Sequence, residues 1–362
     1  MVSVANIYSY IKKYGDVTFF DKEFNDIDSM ILSILTYLEL DGIVSTKRKK
    51  ISLNDAIKMF IDRVDYKGFI KRGFCQKDIY KVAKSVLDTR RYRDIMLYNY
   101  VYKVNLVEQF SAVTMKLPNG ITYVGFEGTD HNLVGWEEDA ALCYKYPVLA
   151  QTDAINYLNR TITLFDSNVI VGGHSKGGHL ALVSSMNANF FVRGKIKQIH
   201  NFDGPGLRKK EIESLNYQRI KDKYLFMVPN NSFFGMLLRH DSDYVVVKSS
   251  RRGILAHFPT AWELDDDKVV TTSLSKLSKK LEVGMLSWLE RHNDEQRETM
   301  FRGIFDLIKS VGVDSVSDLK DIKYIISLIK NAKNLDEESK ELFLNFLKFN
   351  LDFIFEKQKE MA

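Results

Sequence analysis

One run of small residues constrains this chain more than any other feature: Gly172-Gly173-His174-Ser175-Lys176-Gly177-Gly178. It follows the apolar run Asn168 to Val171, which reads as a buried strand, and precedes helical spacing beginning near Lys176. Gly173-His174-Ser175-Lys176-Gly177 fits G-x-S-x-G, the spacing of a strand that turns sharply into a helix beneath an exposed serine. In so tight a reversal the serine takes a strained conformation. The residues two before and two after it have no room for side chains, so both are glycine. The first helical turn then aims free N–H groups at the point where negative charge develops in acyl transfer. A chance match in a chain this long is expected about 0.1 times. The competing explanation is a glycine-rich turn that holds a phosphate or nothing. The run is neither a P-loop, since Lys176 does not follow G-x-x-x-x-G, nor G-x-G-x-x-G.

A nucleophilic serine needs oxyanion donors, a base and an acid. One donor is the backbone N–H of Lys176, the residue after the serine. The second comes from an earlier strand end, where Tyr123 to Glu127 runs into Gly128-Thr129 and Thr129 has an N–H and a hydroxyl to give. The chain has 7 histidines. His174 adjoins Ser175, so its ring points elsewhere. Of those after the serine, His179, His200, His240, His257 and His292, the favoured base is His257. It lies in a loop beyond the last expected strand, whereas His292 sits in an amphipathic helical stretch. Asp203, between the strand Ile196 to Phe202 and Gly204-Pro205-Gly206, is the favoured acid. Asp241 and Asp243 are its rivals, and a plain turn-capping role is the alternative for Asp203 itself.

The rest of the chain places these residues in an α/β frame. Helical spacing marks Asp28 to Leu40, with Asp26 or Asp28 as cap, then Asn54 to Val64 and Gln76 to Leu87. A helical front section therefore covers residues 1–100. Gln109 to Lys116 and Ile121 to Glu127, joined by Pro118-Asn119-Gly120, read as a hairpin. Gln151 to Phe165 reads as a helix. Tyr224 to Val228 and Tyr244 to Val247 read as further strands. Strands alternating with helices predict a mainly parallel sheet flanked by helices, here a core over residues 101–270. Residues 271–362 read as helical again, notably Arg291 to Val311, Lys320 to Lys330 and Leu342 to Phe355.

Composition narrows the class of function. Lys plus Arg is 52 and Asp plus Glu is 47, a net charge of +5. That bias permits contact with an anionic surface and does not predict nucleic-acid binding. Two cysteines, Cys75 and Cys143, build neither a disulfide framework nor a zinc set, which suits a reducing compartment. The N-terminus shows no signal-peptide pattern, and no apolar run of 18 residues occurs. The expected location is cytoplasmic, without a transmembrane segment. No metal or organic cofactor is expected.

The ordered set of motifs resembles one family. Phe126-Glu127-Gly128-Thr129-Asp130, Gly135-Trp136-Glu137-Glu138-Asp139, the Ser175 run and Asn201-Phe202-Asp203-Gly204-Pro205-Gly206 look like the Mbeg-like group of bacterial proteins. Asp16 to Phe19, Phe24 to Asp28, Pro229 to Leu238, and Ala256-His257 with Trp262 resemble its other motifs. This group is a domain of unknown function related to class 3 lipases and the wider α/β-hydrolases. The resemblance implies a serine-hydrolase fold with Ser175 as nucleophile and Thr129 where those lipases place an oxyanion residue. The chain also departs from them. Glu127 stands where they usually carry Arg. Val228-Pro229-Asn230-Asn231-Ser232 lacks the carboxylate that usually follows that strand, which moves the acid to Asp203.

Together these features predict an α/β-hydrolase with helical additions at both ends. The expected function is a lipase- or esterase-type serine hydrolase. It acts on carboxylic esters, lipid-like ones among them, through an acyl-enzyme, with Ser175, His257 and Asp203 as triad and Thr129 and Lys176 as oxyanion donors. Phe233, Phe234, Met236 and Leu237 are candidates to line an acyl pocket, with core packing as their alternative. A non-catalytic binding or regulatory module on the same scaffold is the competing function.

Overall fold

The structure, a computed structural model, describes residues 4–341 except positions 74, 106, 130, 131, 242, 314–317, 319–321, 336 and 338. Helices α1 (Ile7–Tyr14) and α2 (Asp26–Leu35) lead to a short strand β1 (Ile51–Ser52). Helices α3 (Leu53–Arg63), α4 (Tyr66–Phe69) and α5 (Gln76–Val86) follow. Strands β2 (Met96–Val104), β3 (Gln109–Lys116) and β4 (Thr122–Phe126) come next, then α6 (Leu133–Ala141), α7 (Leu149–Thr161) and β5 (Val169–His174). Helices α8 (Lys176–Asn187) and α9 (Phe190–Lys195) precede β6 (Ile196–Phe202). Helices α10 (Lys209–Ile212) and α11 (Leu215–Gln218) precede β7 (Tyr224–Pro229), which is followed by β8 (Val245–Val247). Helices α12 (Lys276–Arg291), α13 (Asp294–Ser310) and α14 (Ile322–Asn331) close the described chain. The helix expected over Leu342 to Phe355 lies outside the described residues. No described helix is long and apolar enough to cross a membrane.

The eight strands form one sheet in chain order. Pairs β1–β2, β2–β3 and β3–β4 are antiparallel, and β4 to β8 are parallel throughout. Right-handed crossovers between neighbouring parallel strands drop every connecting helix on the same face. Accordingly Ala154, Tyr157 and Leu158 of α7 and Leu180 and Val183 of α8 share one core with Val124, Val171 and Ile199. The alternate strand residues, Tyr123, Ile170, Phe202 and Met227, point to the opposite face. There they meet Met30, Ile31, Ile34 and Leu35 of α2. The front helices are thus the third layer of an α/β-hydrolase-like fold. At the other end of the chain, Trp288, Met300, Ile304 and Leu307 pack with Leu133, Leu142 and Cys143 beside α6.

Several elements differ from the sequence reading for identifiable reasons. Strand β2 is missing from it because the alternation of Met96–Val104 is broken. The register with β3 shifts between Tyr98 and Val101, and Asn99 sits at φ +55°. Asn25, rather than Asp26 or Asp28, caps α2; its side chain accepts from Ile27 and Asp28 N–H, and Asp28 returns a bond to Asn25 N–H. The helix expected from Arg291 begins instead at Asp294, because Asn293 caps it.

The capping Asp28 does more than close the box. It is fully buried, and Arg91, equally buried, grips it with Nε at 2.8 Å and Nη2 at 2.6 Å. Tyr92 donates to the same carboxylate at 2.7 Å. Arg91 also donates to the carbonyls of Val17, Thr18, Lys22 and Glu23, and stacks over Phe19. Every guanidinium face is satisfied, so the pair locks α2 to the loop before it. Removing one partner strands a charge in the interior. Arg91→Ala is expected to lower unfolding stability by about 3–5 kcal/mol. Exposed Arg93→Ala is expected to stay within about 0.5 kcal/mol. Urea unfolding midpoints of the two variants check this.

Candidate active site

Ser175 sits between the last residue of β5 and the first of α8, at φ +58° and ψ −134°. An L-residue at that φ is strained, and surrounding structure must hold it there. Its N–H donates to Phe202 O at 2.9 Å, which ties the bend to β6. The flanking glycines are sterically required. A Cβ on Gly173 would lie 2.3 Å from the Gly177 carbonyl carbon, and one on Gly177 would lie 2.2 Å from Phe126 O. Ser175 is only partly buried among fully buried neighbours. The first-turn N–H of Lys176 has no acceptor within the helix.

Asp203 follows β6, the strand next to β5, and is also held at positive φ, +55°. Its Oδ2 accepts from His257 Nδ1 at 2.6 Å. Its Oδ1 accepts from Ser232 Oγ at 2.5 Å and Gly235 N–H at 3.2 Å. A Cβ on Gly235 would come within 2.3 Å of that oxygen, so this glycine lets the loop close on the carboxylate. Asp241 and Asp243 are exposed. Burial pushes the His257 pKa down to about 3. Burial also pushes the Asp203 carboxyl up, against the pull of the Ser232 and Gly235 hydrogen bonds. With Nδ1 committed to Asp203, Nε2 is the basic nitrogen of a neutral His257 ring.

His174 turns its ring away from Ser175, toward α2 and the His257 loop. Its Nε2 donates to His257 O at 2.9 Å, so Nδ1 is the acceptor of the Tyr37 hydroxyl at 2.8 Å. The His174 and His257 rings lie 4.3 Å apart. Tyr37, from the turn after α2, therefore fixes the His174 tautomer, and His174 fixes the backbone of the candidate base. Neither Tyr37 nor Ser232 was identifiable from the sequence. Tyr37 is 137 positions from His174, and Ser232 is a serine among polar loop residues.

The candidate oxyanion residues are braced from below. The Lys176 side chain is buried and pairs with Glu138 at 2.6 Å, while also donating to Gln109 O at 2.8 Å. Glu138 in turn accepts from Gln109 N–H and Ala150 N–H. The Thr129 hydroxyl donates to Asp139 Oδ2 at 2.5 Å, which leaves its backbone N–H as the group available to an oxyanion. Two successive acidic residues of α6 thus hold the two candidate donor residues. Asp130 lies outside the described residues. Phe234 packs 4.4 Å from the His257 ring and edge-on to Trp136, beside the site, whereas Met236 is buried in a separate cluster with Phe226 and Val228.

The other histidines serve packing. His179 bonds Gln151 and Pro205 O, His200 bonds Ser29, and His240 donates to Gly235 O while stacking on Phe226. His292 bonds Trp288 O on the C-terminal helices. Among the described residues no group of three or more His, Cys, Asp or Glu is placed to hold a metal ion.

Burial lowers the pKa of His179 and His200 to about 4, of His240 and His257 to about 3, and of His174 well below its ordinary value. The unfolded chain titrates these groups near 6.5 and so binds more protons than the folded one in the window between. Stability is complete above about pH 6.5 and falls as pH drops toward the folded values, by up to about 1.4 kcal/mol per pH unit per histidine. Asp203 acts in the opposite sense, as do Asp26, Glu108 and Glu282, whose carboxyls burial raises by less, four groups against five. Denaturant midpoints measured from about pH 7 down to about pH 5 are expected to fall steadily. A flat profile would show that these rings are not held neutral.

Comparison with known proteins adds a family. No curated protein matches the chain. Among solved structures, Rhizomucor miehei lipase in its propeptide complex is 13% identical. The match covers 68% of this chain and 81% of that one, at a TM-score of 0.37. Lipase II from Rhizopus niveus is 13% identical over 63% of this chain and 91% of that one, at 0.32. The profile of the Mbeg1-like family matches residues 86–306, from the end of α5 to within α13 and including the Ser175, Asp203 and His257 segments. The chain belongs to the Mbeg1-like family.

Proposed function

We propose that this protein is a serine hydrolase of carboxylic esters, working through an acyl-enzyme on Ser175. The observation that carries this reading is the Asp203–His257 hydrogen bond at 2.6 Å, formed at the strand edge where Ser175 stands at φ +58°. In the first step His257 Nε2 takes the Ser175 hydroxyl proton as Oγ bonds to the ester carbonyl carbon. The carbonyl oxygen becomes an oxyanion, held by the N–H groups of Lys176 and Thr129. Each such donor is worth roughly 3–4 kcal/mol. The imidazolium formed is stabilised by Asp203 across Nδ1. His257 then returns the proton to the departing alcohol, leaving acyl-Ser175. Water, giving a proton to His257, attacks the acyl carbon; the bond from that carbon to Ser175 Oγ then breaks, His257 returns the proton to Oγ, and the acid leaves. Phe234 and Trp136 supply apolar surface beside the reacting bond, which suits an acyl chain.

A fluorophosphonate probe is expected to label the wild-type protein and not Ser175→Ala. Folded wild-type protein that resists labelling would instead mark a binding module. On nitrophenyl esters, Asp203→Asn is expected to cost on the order of 10⁴ in kcat, because the base would lose its tautomer. Retained activity would exclude Asp203 as the acid.

The tautomer relay behind the base gives a second expectation. Tyr37→Phe removes the donor to His174 Nδ1 and frees the other tautomer, in which Nε2 no longer donates to His257 O. The loss is expected mainly in kcat, roughly tenfold, a size typical of residues that orient others. His174→Asn, which can still donate to His257 O, is expected to lose less than His174→Ala. Equal losses in the two would show that the ring only fills space.

A further inference from the structure

The edge of the sheet opposite Ser175 carries side chains that the catalytic reading leaves unused. Three segments lie there because each immediately precedes one of three adjacent parallel strands: 162–168 before β5, α9 before β6, and 219–223 before β7. Four large apolar side chains protrude from this edge. Phe165 is 92% exposed, Phe190 87%, Leu164 76% and Leu215 73%. Scattered single exposures of this kind are ordinary, but a cluster is not. Hydrogen bonds hold the cluster together. Lys195 donates to the carbonyls of Leu164 and Asp166 and lies over the Phe191 ring, which joins the 164–166 loop to α9. Asn216 donates to Asn187 Oδ1, which brings α11 and Leu215 to the end of α8, just before α9. Each of the four is at least 73% exposed and so stands out from its own segment.

Charge surrounds these tips. Residues 188–198 hold Arg193, Lys195 and Lys197 and no acid, and 219–223 hold Arg219, Lys221 and Lys223 against Asp222. Lys223 donates to Ile196 O, which sets it beside α9, and its pKa is lowered by burial and by the nearby Lys197 and Arg193. Of the neighbouring acids, Asp166 is buried against Thr122 and Thr163, while Glu213 is exposed at the margin. Protruding aromatic and leucine tips within a basic rim match a surface that is apolar inside and anionic outside. A protein partner for such tips would need a pocket for each.

We propose that this edge docks the protein on an anionic lipid bilayer, with Phe165, Phe190, Leu164 and Leu215 entering the interface and Arg193, Lys197, Lys221 and Lys223 meeting the headgroups. The edge bearing Ser175 and Asp203 then faces away from that bilayer, so the docked molecule presents its candidate site to the aqueous side.

Co-sedimentation of the full chain with phosphatidylcholine vesicles, with and without phosphatidylglycerol, tests this. Binding is expected only with phosphatidylglycerol and is expected to weaken as salt is raised. Phe165→Ser with Phe190→Ser, and separately Arg193→Glu with Lys197→Glu, are each expected to weaken binding on the order of tenfold or more. Phe165, Phe190 and Lys197 are exposed, and the half-buried Arg193 gives up one bond to Ala188 O, so circular dichroism and Ser175 labelling should match wild type. Absence of binding to the anionic vesicles would overturn the proposal. So would either double variant binding like wild type while remaining folded. A dimer in light scattering that these variants dissociate would assign the edge to a second copy of the chain and overturn it too.

Discussion

Everything in this structure follows from five parallel strands standing side by side in chain order. A sheet wound in one direction receives all its crossover helices on one face. Its other face would be left open, and Tyr123, Ile170, Phe202 and Met227 would be exposed to water. The front of the chain supplies the cover, with α2 lying across β4, β5 and β6. That helix must hold its position without a covalent tie to the strands it covers. The Asp28–Arg91 pair at its start and Thr36 at its end, whose hydroxyl lies 3.4 Å from Phe126 O, fix it there.

The same cover reaches the candidate site. Because α2 runs toward the C-terminal ends of the strands, the turn after it delivers Tyr37 to His174, and His174 to the His257 carbonyl. On the opposite face, α6 sets Glu138 against the Lys176 ammonium, and the Ala150 N–H of α7 donates to that carboxylate. Ser175 thus sits between two separately built supports. One orients an imidazole and the other secures the start of the helix whose N–H groups face the site. Strain at Ser175 and Asp203, both at positive φ, is sustained by these supports and by the bonds from Ser175 N–H to Phe202 O and from Asp203 N–H to Met227 O.

The electrostatics of the site keep the His257 ring neutral at rest beside a hydrogen-bonded Asp203 carboxylate. Burial disfavours the imidazolium of His257, and hydrogen bonds to Asp203 hold its carboxylate in place. Where charge does persist indoors, as at Lys176–Glu138 and Arg91–Asp28, it is paired and hydrogen-bonded.

Much of this was legible in the residues themselves. The Ser175 bend is written in Gly173 and Gly177, because local sterics leave no other residue type there. Strand β5 shows as a run of apolar residues, since a buried strand needs them whatever its neighbours, and β3 shows as an alternation of apolar and polar residues, although the fold buries both of its faces. The union of Asp203 with His257 was readable only as one choice among several carboxylates, because 54 positions of intervening chain carry no geometric information. The roles of Tyr37, Ser232, Glu138 and Asp139 were unreadable for the same reason, although Glu138 and Asp139 lie in one of the motifs that carry the family resemblance. Each is an ordinary polar residue whose role exists only once the sheet has brought distant loops to one edge. Local sequence thus determined where the chain bends and which segments are buried. Tertiary packing decided which side chains meet, because hydrogen-bond partners are selected by distance in space and not by distance along the chain.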